Sequence, residues 1–127
     1  MTVLVPGAFD LFHYGHARLL ARASRFGEVV VALASDEFVA LTKGHSPAEM
    51  WDDRARALRR RGYEVVMRGE ADIRPILDVL RPDYWVTGHD WLGDRHLAHM
   101  RVTAEEVAER GIAMVYLPRT PGVSSTM

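Results

Sequence analysis

The densest chemistry in this sequence lies in Gly7-Ala8-Phe9-Asp10-Leu11-Phe12-His13-Tyr14-Gly15-His16, where two imidazoles bracket the start of a helical pattern. The stretch directly follows an apolar, β-branched run, Thr2 to Val5, that reads as a buried strand ending in a turn. Glycine at position 7 lets the backbone pass close to a ligand, and the free amides of a helix N-terminus favour phosphate. The positive end of the helix dipole disfavours imidazolium, so His16 is read as a neutral donor to phosphate oxygens rather than a proton shuttle. Two structural histidines would fit the same spacing, and spacing alone leaves both readings open.

These residues need a frame to hold them. Behind His16, Leu19, Leu20, Ala23 and Phe26 recur at helical spacing, with Gly27 expected as the C-terminal cap. Glu28 to Ala34 has the near-continuous apolar pattern of a strand covered on both faces. Residues 38–46 read as a loop or frayed helix, and Ser46-Pro47 as the start of a helix over Ala48 to Arg61. Strands at Tyr63 to Met67, Tyr84 to Thr87 and Ala113 to Leu117 then alternate with helices at Ala71 to Leu80 and Leu97 to Arg110. Short strands alternating with helices predict a three-layer α/β sandwich around a five-stranded parallel sheet. Ligands of such sheets bind at the carboxyl ends of the strands, where the strand order reverses.

At 127 residues, of which 48% are hydrophobic and 26% charged, the chain has the composition of one globular domain, 1–127. Sixteen basic and seventeen acidic side chains leave a formal charge of -1, so no global field draws it to nucleic acid or an anionic membrane. The run Arg59-Arg60-Arg61 is explained by a helix dipole and solvation. Val29 to Ala34 is far shorter than the ~20 residues of a membrane span, and no signal-peptide pattern precedes Pro6. The absence of cysteine excludes disulfides and thiolate chemistry, and the cytoplasm is the expected location.

Gly7-Ala8-Phe9-Asp10 followed by His13-Tyr14-Gly15-His16 resembles the G-x-F-D-x-x-H-x-G-H signature of the cytidylyltransferase-like nucleotidyltransferases. Arg119-Thr120-Pro121-Gly122-Val123-Ser124-Ser125-Thr126 resembles the R-T-x-G-[IV]-S-[ST]-[ST] signature of the same family's CTP-using branch. The resemblance spans essentially the whole chain and implies a Rossmann-like nucleotidyltransferase fold. It also implies attack by a substrate phosphate on the α-phosphorus of CTP with loss of pyrophosphate, and a small phosphorylated alcohol of the glycerol 3-phosphate kind as acceptor. On that reading His13, His16, Arg54 and Arg119 are catalytic, with the histidines on the triphosphate and Arg119 clamping it. The nucleotide is bound by Gly7, Ala8, Phe9, His13, His16, Gly88, Asp90, Trp91, Arg119, Thr120, Gly122, Val123, Ser124, Ser125 and Thr126. Lys43 meets the acceptor phosphate, Mg2+ accompanies CTP without a protein cage of its own, and the expected assembly is a homodimer. Trp51, expected to be exposed, and the arginine-rich helix are the candidate contacts.

On spacing alone, Asp90-Trp91 fits a helix cap followed by a core tryptophan as well as a nucleoside site. His96 and His99 lack a third ligand, so a solvated helix face explains them better than a metal. His89 departs from the family pattern, which commonly has an acid there. The sequence ends at Met127 where the family continues into a helix, so weaker triphosphate binding is expected. Two other readings stay open: an adenylyltransferase of the same fold using ATP and a sugar phosphate, and a catalytically weak nucleotide-binding module.

Overall fold

The computed structural model describes residues 1–88 and 100–118. Its centre is a five-stranded sheet of β1 (Thr2–Gly7), β2 (Glu28–Ala34), β3 (Glu64–Arg68), β4 (Tyr84–Gly88) and β5 (Ala113–Leu117). Every recorded pairing is parallel, in the order β3-β2-β1-β4-β5. The helices among the described residues are α1 (Tyr14–Ala23), α2 (Asp36–Lys43), α3 (Trp51–Arg59), α4 (Arg74–Leu80) and α5 (Ala104–Glu109). None is long and apolar enough to cross a membrane.

Alternate residues of the strands feed two cores. Val3 and Val5 of β1, Val29, Val31 and Leu33 of β2 and Val86 of β4 pack with Leu20 and Ala23 of α1 and Ala55 and Leu58 of α3. On the other face, Leu4, Ala32 and Trp85 pack with Ile73, Leu77 of α4 and Val107 of α5. A sheet buried on both faces cannot alternate apolar with polar residues, which is why β2 reads as one unbroken apolar run.

Chain order runs outward through β1, β2 and β3, then returns to place β4 on the far side of β1. The reversal therefore falls between β1 and β4. These two strands are in register only at Val3–Tyr84 and Leu4–Trp85, whereas β1 stays paired with β2 to Gly7 and β4 with β5 to Gly88. Their register ends at Leu4–Trp85, and the carboxyl ends of the two central strands border the crevice where ligands of such sheets sit.

Several local expectations are corrected. Residues 38–46 hold most of a true helix, α2: Ser35 Oγ accepts the Phe38 amide at 3.1 Å, acids fill the first turn, and Gly44 closes it at φ 78. The helix expected from Ala48 begins at Trp51, because the amides of Ala48 and Glu49 turn toward the Asp10 carboxylate at 2.7 and 2.9 Å instead of entering a helical turn. In the described part of the stretch from Leu97 to Arg110, helix forms only over Ala104–Glu109, where Thr103 and Glu106 make a reciprocal capping box. Trp51 is half-buried, its indole donating to the Leu33 carbonyl at 3.0 Å beneath the Arg59 guanidinium.

Gly27 is not the cap of α1, which ends at Ser24. It sits at φ +155, where an added Cβ would lie 2.3 Å from the Met1 carbonyl oxygen that accepts the Glu28 amide. Gly27→Ala is expected to destabilise the fold by roughly 1–3 kcal/mol through backbone strain alone. The measurement is the urea unfolding midpoint, which falls without a change in slope.

Candidate active site

The loop after β1 is shaped by residues rarely found in its conformation. Phe9 and Leu11 both adopt left-handed backbone angles, φ 47 and φ 49, which for bulky side chains carries strain on the order of 1–3 kcal/mol each. Gly7 makes the first turn possible, since a Cβ there would stand 2.8 Å from the ring of Phe9. That ring is buried and joins the core under α1.

The loop delivers His13 to the N-cap of α1. His13 Nδ1 accepts the amides of Gly15 at 3.0 Å and His16 at 3.4 Å, and His16 Nδ1 accepts the His13 amide at 3.3 Å. The two histidines thus form a capping box, a task usually given to a hydroxyl and a carboxamide or carboxylate. Because each Nδ1 is an acceptor, each neutral ring carries its proton on Nε2. The rings stack at 3.7 Å, with Phe9 and Phe12 against His16 at 5.1 and 5.4 Å. His13 Nε2 is buried without a hydrogen-bond partner among the described residues. A buried N–H donor without an acceptor is costly, and here it stands at a helix N-terminus that has no acid in its first turn.

Burial, followed by the charges of His13 and Lys43, lowers the pKa of His16 from 6.5 to about 4, against the opposing pull of Asp10. Lys43 is the exposed last residue of α2, so the field of that amine reaches the histidine pair. Arg61 adds a second cation to this wall, its guanidinium 4.4 Å over the Phe12 ring.

Arg54 lies beneath this surface, fully buried. Its Nε donates to the Glu49 carbonyl at 2.9 Å and its Nη1 to the carbonyls of Ala8 and Ala34 at 2.8 and 2.9 Å. Its Nη2 completes an ion pair with Asp36 at 2.7 Å. The guanidinium ties together the loop after β1, the end of β2, the first turn of α2 and the approach to α3. Arg68, also buried, secures α2 from the other side: it stacks on Phe38 at 4.6 Å and donates to the carbonyls of Glu70 and Ala71. Burial lowers its pKa to about 10.

The structure thus gathers Gly7, Ala8, Phe9, His13, His16, Lys43 and Arg54 around the carboxyl end of β1, while Gly88 ends β4 across the switch point. Asp90, Trp91, Arg119, Thr120, Gly122, Val123, Ser124, Ser125 and Thr126 lie outside the described residues, as do His89, His96 and His99. The sequence alone assigns no functional role to the Asp10, Asp36 and Glu49 carboxylates. Asp10 accepts the Ala48 amide and Glu49 the Leu11 amide, each across 38 positions of sequence, pairings that no local pattern signals.

The cytidylyltransferase-like family profile matches residues 4–127. The chain is 34% identical over 129 residues to the glycerol-3-phosphate cytidylyltransferase of Bacillus spizizenii, covering 98% of this chain and 91% of the relative. It is 38% identical over 130 residues to the bifunctional protein HldE of Streptomyces coelicolor, covering 98% of this chain and 27% of that one. A crystal structure titled as the lipopolysaccharide core biosynthesis protein of Thermoplasma volcanium superposes with a TM-score of 0.74 at 23% identity, covering 94% of this chain and 96% of that one, and so shares the fold. With the family profile running through the histidine cap and nearly the whole sheet, this chain belongs to the cytidylyltransferase-like family of nucleotidyltransferases.

Proposed function

We propose that the protein transfers CMP from CTP to the phosphate of a small phosphorylated alcohol of the glycerol 3-phosphate kind, releasing pyrophosphate. The observation that carries this reading is the stacked histidine pair, whose shared cap fixes an Nε2–H on each ring and leaves that of His13 buried and without an acceptor. A polyphosphate supplies the missing acceptor oxygens.

In the reaction, an oxygen of the acceptor phosphate forms a bond to the α-phosphorus of CTP as the bond from that phosphorus to the bridging oxygen of the β-phosphate breaks. The electron pair leaves with pyrophosphate. The bond-making is left to the substrates, so the protein contributes position and charge stabilisation. His13 and His16 donate to triphosphate oxygens on which charge grows, supported by the N-terminus of α1. Gly7, Ala8 and Phe9 supply the close backbone wall, Lys43 draws in the acceptor phosphate, and Arg54 holds the wall in place. Gly88, Asp90 and Trp91 take the nucleoside, and Arg119, Thr120, Gly122, Val123, Ser124, Ser125 and Thr126 bind the triphosphate. The working form in this reading is a cytoplasmic homodimer, which solution scattering tests.

Among the described residues no cluster of three or more histidine, aspartate or glutamate side chains could hold a metal ion. Asp10 has both oxygens engaged by backbone amides. The donor-rich site fits Mg2+ carried on the nucleotide's phosphates rather than in a protein cage. Mg2+ held there would supply neutralisation of phosphate charge.

CTP with Mg2+ is expected to raise the melting temperature more than ATP, GTP or UTP at equal concentration. A hundredfold excess over Kd corresponds to about 2.7 kcal/mol of stabilisation. A larger shift with ATP would transfer the assignment to the adenylyl branch of the fold. His13→Ala and His16→Ala are each expected to lower kcat by about 10²–10³-fold with a smaller effect on nucleotide affinity, as the donors act most on the charge of the transition state. Pyrophosphate release measured against nucleotide concentration separates the two effects.

The lowered pKa of His16 makes a further prediction about stability. Between pH 6.5 and about 4 the unfolded chain binds a proton on this histidine that the folded chain does not. Stability therefore falls as pH drops through that window and this contribution levels off below it. In His16→Asn, urea unfolding at a series of pH values is expected to show a shallower decline over the same interval.

A further inference from the structure

Two carboxylates that have no part in the mechanism above cross between the loop of residues 8–13 and the segment entering α3. Asp10 Oδ2 accepts the Ala48 amide at 2.7 Å and Asp10 Oδ1 the Glu49 amide at 2.9 Å. In return, Glu49 Oε1 accepts the Leu11 amide at 2.9 Å. Each segment caps the backbone of the other.

The clasp closes where the loop most needs it. Asp10 stands between Phe9 and Leu11, both left-handed, and Leu11 is 62% exposed. Phe9 is held by burial, but the bond from the Leu11 amide to Glu49 is the recorded hydrogen bond that fixes Leu11. Two residues later the chain must arrive extended at His13, φ -134 and ψ 179, for the histidine cap to form. The main chain at Glu49 is itself immobilised, since its carbonyl accepts Arg54 Nε while Arg54 Nη1 holds Ala8 on the loop.

We propose that Glu49 is a positioning residue for nucleotidyl transfer: by accepting the Leu11 amide it holds the strained loop so that His13 and His16 present their Nε2–H donors in a fixed arrangement. This rests on the nucleotidyl-transfer reading above. A charged acceptor on a strained backbone amide gives the loop a single conformation without occupying the anion side of the histidine rings. Displacement of positioned groups by about 1 Å costs on the order of 10²-fold in rate, so a residue outside the site can govern its turnover.

The test compares the full chain with Glu49→Ala, Glu49→Gln and the control Asp52→Ala, an exposed acid in the first turn of α3 with no recorded bond to the loop. Pyrophosphate release gives kcat and KM, and histidine side-chain 15N spectra report which ring nitrogen carries the proton. Glu49→Ala is expected to lose about 10–100-fold in kcat with little change in nucleotide KM. Its histidine resonances should move from the pure Nε2–H pattern toward a mixture of tautomers. Glu49→Gln keeps a carbonyl acceptor and is expected to stay within about fivefold of the parent. Asp52→Ala should match the parent in both readouts.

Parental kcat in Glu49→Ala overturns the proposal, as does a Glu49→Gln variant impaired as severely as Glu49→Ala. A parent chain that releases no pyrophosphate from any nucleotide sinks the nucleotidyl-transfer reading, and with it the catalytic half of the proposal. The clasp itself is then decided by the 15N spectra, where an unchanged tautomer pattern in Glu49→Ala overturns it.

Discussion

The buried guanidinium of Arg54 is the constraint from which the site takes its shape. Desolvating a cation is costly, and the cost is met by acceptors held at fixed directions: three backbone carbonyls and one carboxylate at 2.7–2.9 Å. Those acceptors come from the loop after β1, the end of β2, the first turn of α2 and the approach to α3, so none of these can shift without unpairing the others. Arginine suits this position because its planar fork reaches several acceptors at once. A lysine would bring the charge but not the directions. The ends of strands are elsewhere the looser parts of an α/β fold. Here two of them are tied to a point in the interior.

On that base the capping task of the histidine pair also fixes which nitrogen of each ring carries its proton. Capping α1 requires that each Nδ1 accept a hydrogen bond, which requires each ring to be neutral and fixes the proton on Nε2. An anion at the mouth of the helix needs the same Nε2–H. Protonation would remove the Nδ1 acceptor from the cap and place two cations in rings 3.7 Å apart at the positive end of a helix. The low proton affinity of His16 follows from burial and from these neighbours. Donor geometry and helix start are consequences of one protonation state.

Much of this frame is legible in the sequence, and what is not has a common cause. β2 and β5 span Glu28–Ala34 and Ala113–Leu117 as the apolar pattern predicts, and β2, buried from Val29 to Ala34, carries the unbroken apolar signature of a strand covered on both faces. The motif loop is legible through Gly7 and the two histidines. The errors arise where a distant residue overrides a local signal. Ser46-Pro47 has the form of a helix start, but Asp10 takes the next amides and α3 begins later, at Trp51. Arg54 is singled out among the neighbouring helix arginines by the family resemblance alone; its burial depends on Ala8, Ala34 and Asp36, which are distant in sequence. Two features were present locally and passed over: the Ser35 cap of α2 and the Thr103–Glu106 capping box of α5.

The inventory of nucleophiles around the crevice also bears on how many steps the chemistry takes. A double-displacement route needs a side chain that attacks phosphorus, with a base beside it. The chain has no cysteine. Among the described residues, the Ser35 hydroxyl at the end of β2 accepts the Phe38 amide, and that of Thr42 donates to a carbonyl in its own helix. The imidazoles use Nδ1, the nitrogen free of a proton, to cap α1, so neither ring offers a lone pair to phosphorus or to a hydroxyl proton. What this wall offers instead is hydrogen-bond donors, a helix N-terminus and the cations Lys43 and Arg61. That set is suited to stabilising negative charge that moves between oxygens, and it is compatible with the single in-line transfer proposed above, in which the nucleophile would arrive already ionised and need no base.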